Sequence, residues 1–174
     1  IIGESMANTI IVNKPEVEGI GVTATLFNTS TGLYMQDLTL KNAYPFDKST
    51  GRAVCLQDKG TQTICKNVKM LSYQDTYYSN NNKGQYYFEG SDIHGIVDFI
   101  CGGGDVFFNK CTLTLEPGKG SYITAPYTDG TDYGYVFDGC KIVGSATDIR
   151  TFGRSWGGTA KCAFLNTILD KNAA

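Results

Sequence analysis

The sequence predicts an all-β fold in which short parallel strands stack coil upon coil into a β-helix. Three observations lead there. Six segments of about seven residues alternate apolar and polar side chains, and their starts are offset by 30, 23, 20, 29 and 27 residues, the recurrence expected of a solenoid. Glycine is abundant at 21 residues while proline stands at 4, which suits short strands joined by tight turns. No stretch of 12 or more residues keeps a clean helical period, so helix is expected in under about one-fifth of the chain against an ordinary third.

The repeat is justified segment by segment. Residues 34–40 (YMQDLTL), 64–70 (ICKNVKM), 87–93 (YFEGSDI), 107–113 (FFNKCTL), 136–142 (VFDGCKI) and 163–169 (AFLNTIL) align without gaps. Their fifth positions, Leu38, Val68, Ser91, Cys111, Cys140 and Thr167, are small or medium, a column fit for the interior of a narrow solenoid. Neighbouring coils of that kind bury one continuous core that no coil could bury alone. An antiparallel sandwich would need two-residue hairpin signals between the strands, and those are scarce. Residues 80–84 (NNNKG), 117–120 (PGKG) and 128–134 (TDGTDYG) read as loops, and Gly102, Gly103 and Gly104 as a sharp corner needing positive φ; no GK[ST] follows to make them a phosphate cradle.

Length and charge bound the rest. The 174 residues make a single domain, 1–174, with 41% hydrophobic and 18% charged residues, enough to bury a substantial core. A net charge of −2 without a basic block speaks against a nucleic-acid partner. No apolar run approaches the ~20 residues of a membrane helix. The start, IIGESMANTIIV, lacks an initiator Met and a signal-peptide pattern and reads as strand, so a piece of something longer is expected. The six cysteines form no CxxC and fall below the density of a disulfide scaffold. Cys111 and Cys140 share a repeat position and are expected as buried free thiols; a bridge such as Cys55 to Cys65 is left open.

The same repeat locates the chemistry. Asp75 lies 11 residues after Ile64, and Asp98 lies 11 residues after Tyr87. On stacked coils, with strands ~4.8 Å apart, two such carboxylates are close neighbours. Like charges at that range do not both ionise readily, and one retains its proton. His94, the single histidine, precedes a turn and is expected to be structural.

Three ordered strings surround the pair: Gln74-Asp75-Thr76-Tyr77-Tyr78, Val97-Asp98-Phe99-Ile100-Cys101-Gly102 and Phe152-Gly153-Arg154-Ser155-Trp156. They resemble the QDTxY, VDFIFG and LGRPW motifs of the pectin methylesterase (pectinesterase) family, and residues 51–56, 90–102, 121–126 and 134–142 are similar to that family too. Against family members the chain looks truncated at both ends, as a fragment of a longer catalytic domain.

The resemblance implies a right-handed parallel β-helix and a carboxylic ester hydrolase. It would remove methyl esters from homogalacturonan (pectin) and release methanol, as an extracellular or periplasmic monomer without metal or organic cofactor. It implies Asp98 as nucleophile, Asp75 as acid and then base, Gln74 as oxyanion donor, Arg154 as partner of the nucleophile and Trp156 as a surface for the sugar. Phe99 is expected in the groove wall or beneath it. Two departures stand out. Arg52 replaces a family glutamine, as an altered oxyanion donor or a grip on a free galacturonate carboxylate. Cys101 replaces a phenylalanine, which enlarges the pocket for the methyl group. Two other readings remain: a glycoside hydrolase, since paired carboxylates also serve retaining glycosidases, and a non-catalytic polysaccharide-binding β-helix.

Overall fold

Period-two segments at solenoid spacing form strands because each alternation puts one set of side chains inward and the other outward. The computed structural model describes residues 1–45, 51–118, 122–144 and 151–170. Seventeen strands follow one another coil by coil. The first coil gives β1 (Ile10–Asn13), and the second β2 (Leu26–Asn28) and β3 (Tyr34–Asn42). The third gives β4 (Leu56–Asp58) and β5 (Thr63–Leu71). The fourth holds β6 (Tyr77–Ser79), β7 (Gln85–Glu89) and β8 (Asp92–Gly95), and the fifth β9 (Val97–Gly102), β10 (Asp105–Asn109) and β11 (Thr112–Leu115). The sixth holds β12 (Tyr122–Pro126), β13 (Tyr135–Asp138) and β14 (Lys141–Val143), and the seventh β15 (Thr151–Gly153), β16 (Cys162–Leu165) and β17 (Ile168–Asp170).

Every pairing between these strands is parallel, and the described residues contain no helix. One sheet of six strands runs β15-β12-β9-β6-β4-β2; the other has eleven and includes all six predicted segments. Their first residues fall in one register, Tyr34 on Ile64, Ile64 on Tyr87, Tyr87 on Phe107, Phe107 on Val136 and Val136 on Ala163. The fold is the parallel β-helix expected, and the sandwich is excluded.

The segments differ from the expectation in one respect: each bends at its fourth residue. Asp37, Asn67, Gly90, Lys110, Gly139 and Asn166 all have φ between 47° and 60°. Left-handed backbone turns the chain by a corner within a single residue; β3 and β5 run through it unbroken, and the last four segments divide there into two strands. Five of the six are Asp, Asn or Gly, the residues that tolerate this conformation. Asn67 Nδ2 donates to Asp37 Oδ1 at 3.0 Å, tying two corners together. The glycine corner also holds, with Gly102 and Gly104 at φ 108° and 80°. Of the loop at 117–120, residues 119 and 120 lie outside the described residues, as does residue 121 of the 121–126 stretch.

Inside, the fifth-position column from Leu38 to Cys140 is buried as expected. The second-position column ends in a ladder of phenylalanines. Phe88, Phe108, Phe137 and Phe164 stack with ring centroids 4.9, 4.4 and 4.5 Å apart, close to the strand spacing itself. All six cysteines are free thiols, Cys55, Cys65, Cys111 and Cys140 among them buried; no bridge joins Cys55 to Cys65. His94 is tied to its own sheet: Nδ1 lies 2.6 Å from Glu116 Oε1 and Nε2 lies 2.9 Å from Asp92 Oδ2. Burial disfavours its charged form, yet these two carboxylates outweigh that and raise its pKa.

Candidate active site

The six-stranded sheet brings one residue per coil to a common place. Arg52 bridges Gln74, Gln74 bridges Val97, and Val97 pairs with Tyr122, which pairs in turn with Thr151. The step after Gln74 and after Val97 is Asp75 and Asp98, with φ of 56° and 48°. Successive left-handed residues at one register put the two carboxylates side by side, as the common offset of 11 predicts. Both are nearly closed off from water, at 5% and 7% exposure. The register then slips: Tyr122 to Thr124 spans two steps where Val97 to Ile100 spans three, and irregularities of this kind re-aim side chains.

Arg154 reaches this pair from the seventh coil. Its backbone N–H donates to the Thr124 carbonyl at 3.0 Å, and its side chain forks onto Asp98, Nε donating to Oδ1 at 2.9 Å and Nη2 to Oδ2. A planar fork on a carboxylate is the strong form of ion pair. The guanidinium also sits 4.8 Å from the centre of the Tyr122 ring, a cation–π contact. With half of the Arg154 side chain open to solvent, the carboxylate and the ring hold it from two sides.

The two acids differ in their partners. Burial and the neighbouring Asp98 push Asp75 up to about 7, against the opposing pull of Arg52, a hydrogen bond with the Cys101 thiol, and Arg154. Asp98 has a cation on both oxygens; Asp75 has none. The raised proton affinity of Asp75 favours its neutral form. Burial, then Asp75 and Asp98, raise the Cys101 thiol well above its ordinary value, so it faces Asp75 as a neutral S–H.

A cavity of about 180 Å³ opens over these groups, lined by Ile20, Arg52, Gln74, Asp75, Asp98, Cys101, Ala125, Arg154 and Trp156. Seven of the eight site residues expected from sequence thus meet in one place. Phe99 does not. It is fully buried in the hydrophobic core and lies against Gly95, because the left-handed turn at Asp98 sends the next side chain inward. Its placement beneath the site, among the expected options, is the correct one, and as a residue touching a ligand it is withdrawn. Trp156 is half exposed and 5.7 Å from Tyr78 ring to ring. It joins the cavity to a larger groove of about 840 Å³ lined by Tyr78, Asn80, Asn81, Asn82, Tyr127 and Gly158 among others. Among the described residues no group of three or more His, Cys, Asp and Glu side chains is placed to hold a metal ion.

Sequence reasoning missed three residues here. Tyr122 could have been found from its position next in the Arg52–Gln74–Val97 register. Ile20 and Glu18 come from a loop without periodicity and left no signal. Glu18 takes the Arg52 fork, Nε donating to Oε2 at 2.9 Å and Nη2 to Oε1 at 2.7 Å.

Comparison with known proteins gives one answer. A family model described as pectinesterase matches residues 1–173. Putative pectinesterase 11 of Arabidopsis thaliana is 31% identical over 164 residues, which cover 93% of this chain and 44% of the plant protein. Pectinesterase 1 of Olea europaea is 34% identical over 150 residues, 83% of this chain and 40% of that one. Among solved structures, the pectin methylesterase PemA from Erwinia chrysanthemi superposes with a TM-score of 0.81 at 26% identity, covering 99% of this chain and 68% of PemA. The chain spans less than half the length of these two plant relatives.

Proposed function

This chain belongs to the pectinesterase family, and on that premise we propose that its cavity hydrolyses methyl esters of a galacturonan, releasing methanol. One observation carries the reading: two buried aspartates on successive coils share a site, and the arginine fork lies on only one of them.

Asp98 is the nucleophile. Arg154 holds both of its oxygens in a fork, and each oxygen has a lone pair left for attack on the ester carbonyl. The carbonyl π electrons move to oxygen, where an amide N–H of Gln74 donates to the developing charge. As the tetrahedral intermediate collapses, the C–O bond to the methoxy group breaks and Asp75 gives that oxygen its proton, so methanol leaves. Asp75, now a carboxylate, takes a proton from water while the water oxygen attacks the acyl-enzyme. Asp75 thereby regains its starting proton; cleavage of the acyl bond restores the Asp98 carboxylate and leaves a galacturonic acid group, whose remaining proton passes to solvent. With a pKa of about 7, Asp75 is poised for both transfers.

Trp156 offers an exposed ring face to the C–H groups of a sugar, and Cys101 forms a small, neutral floor beside Asp75. The substrate is polymeric cell-wall pectin, which places the enzyme outside the cytoplasm, acting as a monomer. The test is methanol release from highly methyl-esterified pectin with reducing ends counted in parallel. Methanol without new reducing ends is the expected result. New reducing ends would point to glycoside hydrolysis, and binding without either product to a carbohydrate-binding module; both would overturn the proposal.

A further inference from the structure

We propose that Glu18 is a specificity-determining residue, which occupies the guanidinium of Arg52 and so keeps the mouth of the cavity from gripping free uronate carboxylates beside the ester. The inference rests on the galacturonan ester reading above and concerns which stretches of that polymer the site tolerates.

The geometry is a complete fork. Glu18 takes Arg52 Nε and Nη2 at 2.9 and 2.7 Å, the edge that any carboxylate would take. The contact is also built in from the backbone. Gly19 N–H donates to the Arg52 carbonyl at 3.1 Å, the Thr23 hydroxyl to the same carbonyl at 3.2 Å, and Arg52 N–H to Glu18 Oε2 at 3.4 Å. The loop that carries Glu18 also sends Ile20 into the cavity wall beside Arg52. Glu18 therefore meets Arg52 at the reaction site, in an orientation fixed by main-chain bonds.

Charge pairing gives the consequence. Arg154 is matched by Asp98 and Arg52 by Glu18, while Asp75 carries a proton below about pH 7. The cavity is then close to neutral, which suits an uncharged methyl ester. Without the Glu18 charge, Arg52 leaves a net positive charge at the mouth. Its free fork would take the carboxylate of an already demethylated neighbour, or of the product. Both partners of the pair are more than a third exposed, and exposed pairs contribute little to folding. Removing one member changes what binds without unfolding the coil.

The experiment compares wild type, Glu18→Gln, Arg52→Ala and the double variant. Polygalacturonate is used both as a competitor of methanol release from highly methylated pectin and as a directly titrated ligand. Glu18→Gln should tighten polygalacturonate binding by about five- to tenfold, the gain expected when a charge-assisted fork becomes available, and the gain should vanish in the Arg52→Ala background. Unchanged or weaker binding in Glu18→Gln overturns the proposal, as does tightening that persists without Arg52. Direct titration reads the inference even where turnover is absent, whereas failure of wild type to release methanol counts against the esterase reading alone.

Discussion

Asp37 and Asp75 have the same side chain and nearly the same backbone, with φ of 54° and 56°, yet they behave oppositely. Asp37 stands at a corner of the eleven-stranded sheet, half-buried, and hydrogen bonds from Asn67 and Gln36 hold its pKa below the usual value. Asp75 stands on the six-stranded sheet, closed from water beside Asp98, and is pushed up to about 7. Left-handed backbone is thus a steering device with no chemistry of its own. At the corners it recurs on coil after coil and turns the chain; at Asp75 and Asp98 it brings two acids together under cover. Burial and partners decide what those acids do.

The contrast is sharpest in turnover. Asp98→Asn should reduce methanol release by roughly 10³-fold or more, since it removes the nucleophile. Asp75→Asn should cost about 10²- to 10⁴-fold through loss of the transferable proton. Asp37→Asn, on the same backbone, should leave the rate within about twofold, as surface changes do. Steady-state kinetics on one substrate preparation checks all three, and a large effect of Asp37→Asn would break the comparison.

Stability against pH should separate the two aspartates by sign. The folded pKa of Asp75 is raised, so its contribution is fully present below its unfolded value near 3.8 and is lost as pH rises through about 7. Each unit of displacement is worth roughly 1.4 kcal/mol. Asp75→Asn should therefore stabilise the protein at pH 8 relative to wild type, and much less at pH 4. Asp37 has a lowered folded pKa; its contribution exists above the unfolded value and is lost as pH falls through the folded one. Asp37→Asn should be slightly destabilising at pH 8. Thermal melts at the two pH values decide it. The deprotonation of Asp75 should also set the alkaline limb of kcat/KM near pH 7, and Arg52→Ala should move that limb upward because Arg52 favours the carboxylate.

Smaller effects test the supports. Tyr122→Leu removes the ring that holds Arg154 over Asp98 and should lower kcat by about 2- to 5-fold, matching the ~0.5–1 kcal/mol of an exposed cation–π contact; Tyr122→Phe keeps the ring and should restore it. Gly139→Ala probes a corner alone. Its new Cβ would meet nothing closer than Lys110 Cγ at 3.5 Å, so only the φ of 60° is at stake. A loss of about 1 kcal/mol in denaturant melts is expected, with kcat untouched.

These distinctions were unevenly legible in the sequence. Strand, stacking and the inward column followed from a period of two repeated at solenoid spacing, because every coil meets the same physical demand. The neighbouring acids followed from their common offset. The corner was written in Asp37, Asn67, Gly90, Gly139 and Asn166, but Lys110 at φ 52° concealed it, since lysine carries no turn signal of its own. For Phe99 the sequence left groove wall and core both open, because the left-handed Asp98 interrupts the alternation that sorts strand residues outward and inward. Glu18 was invisible: its contact depends on how an aperiodic loop folds across the third coil.

The phenylalanine ladder acts as a gauge for the reaction site. Phe88, Phe108, Phe137 and Phe164 share their coils with Asp75, Asp98, Tyr122 and Arg154 in turn. The ring spacing, 4.4 to 4.9 Å, follows the strand spacing, so the interior ladder and the backbone that carries the site advance by one common step per coil. Bore and outer face thus repeat on the same period, and a change that disturbs the stacking of the coils reaches both.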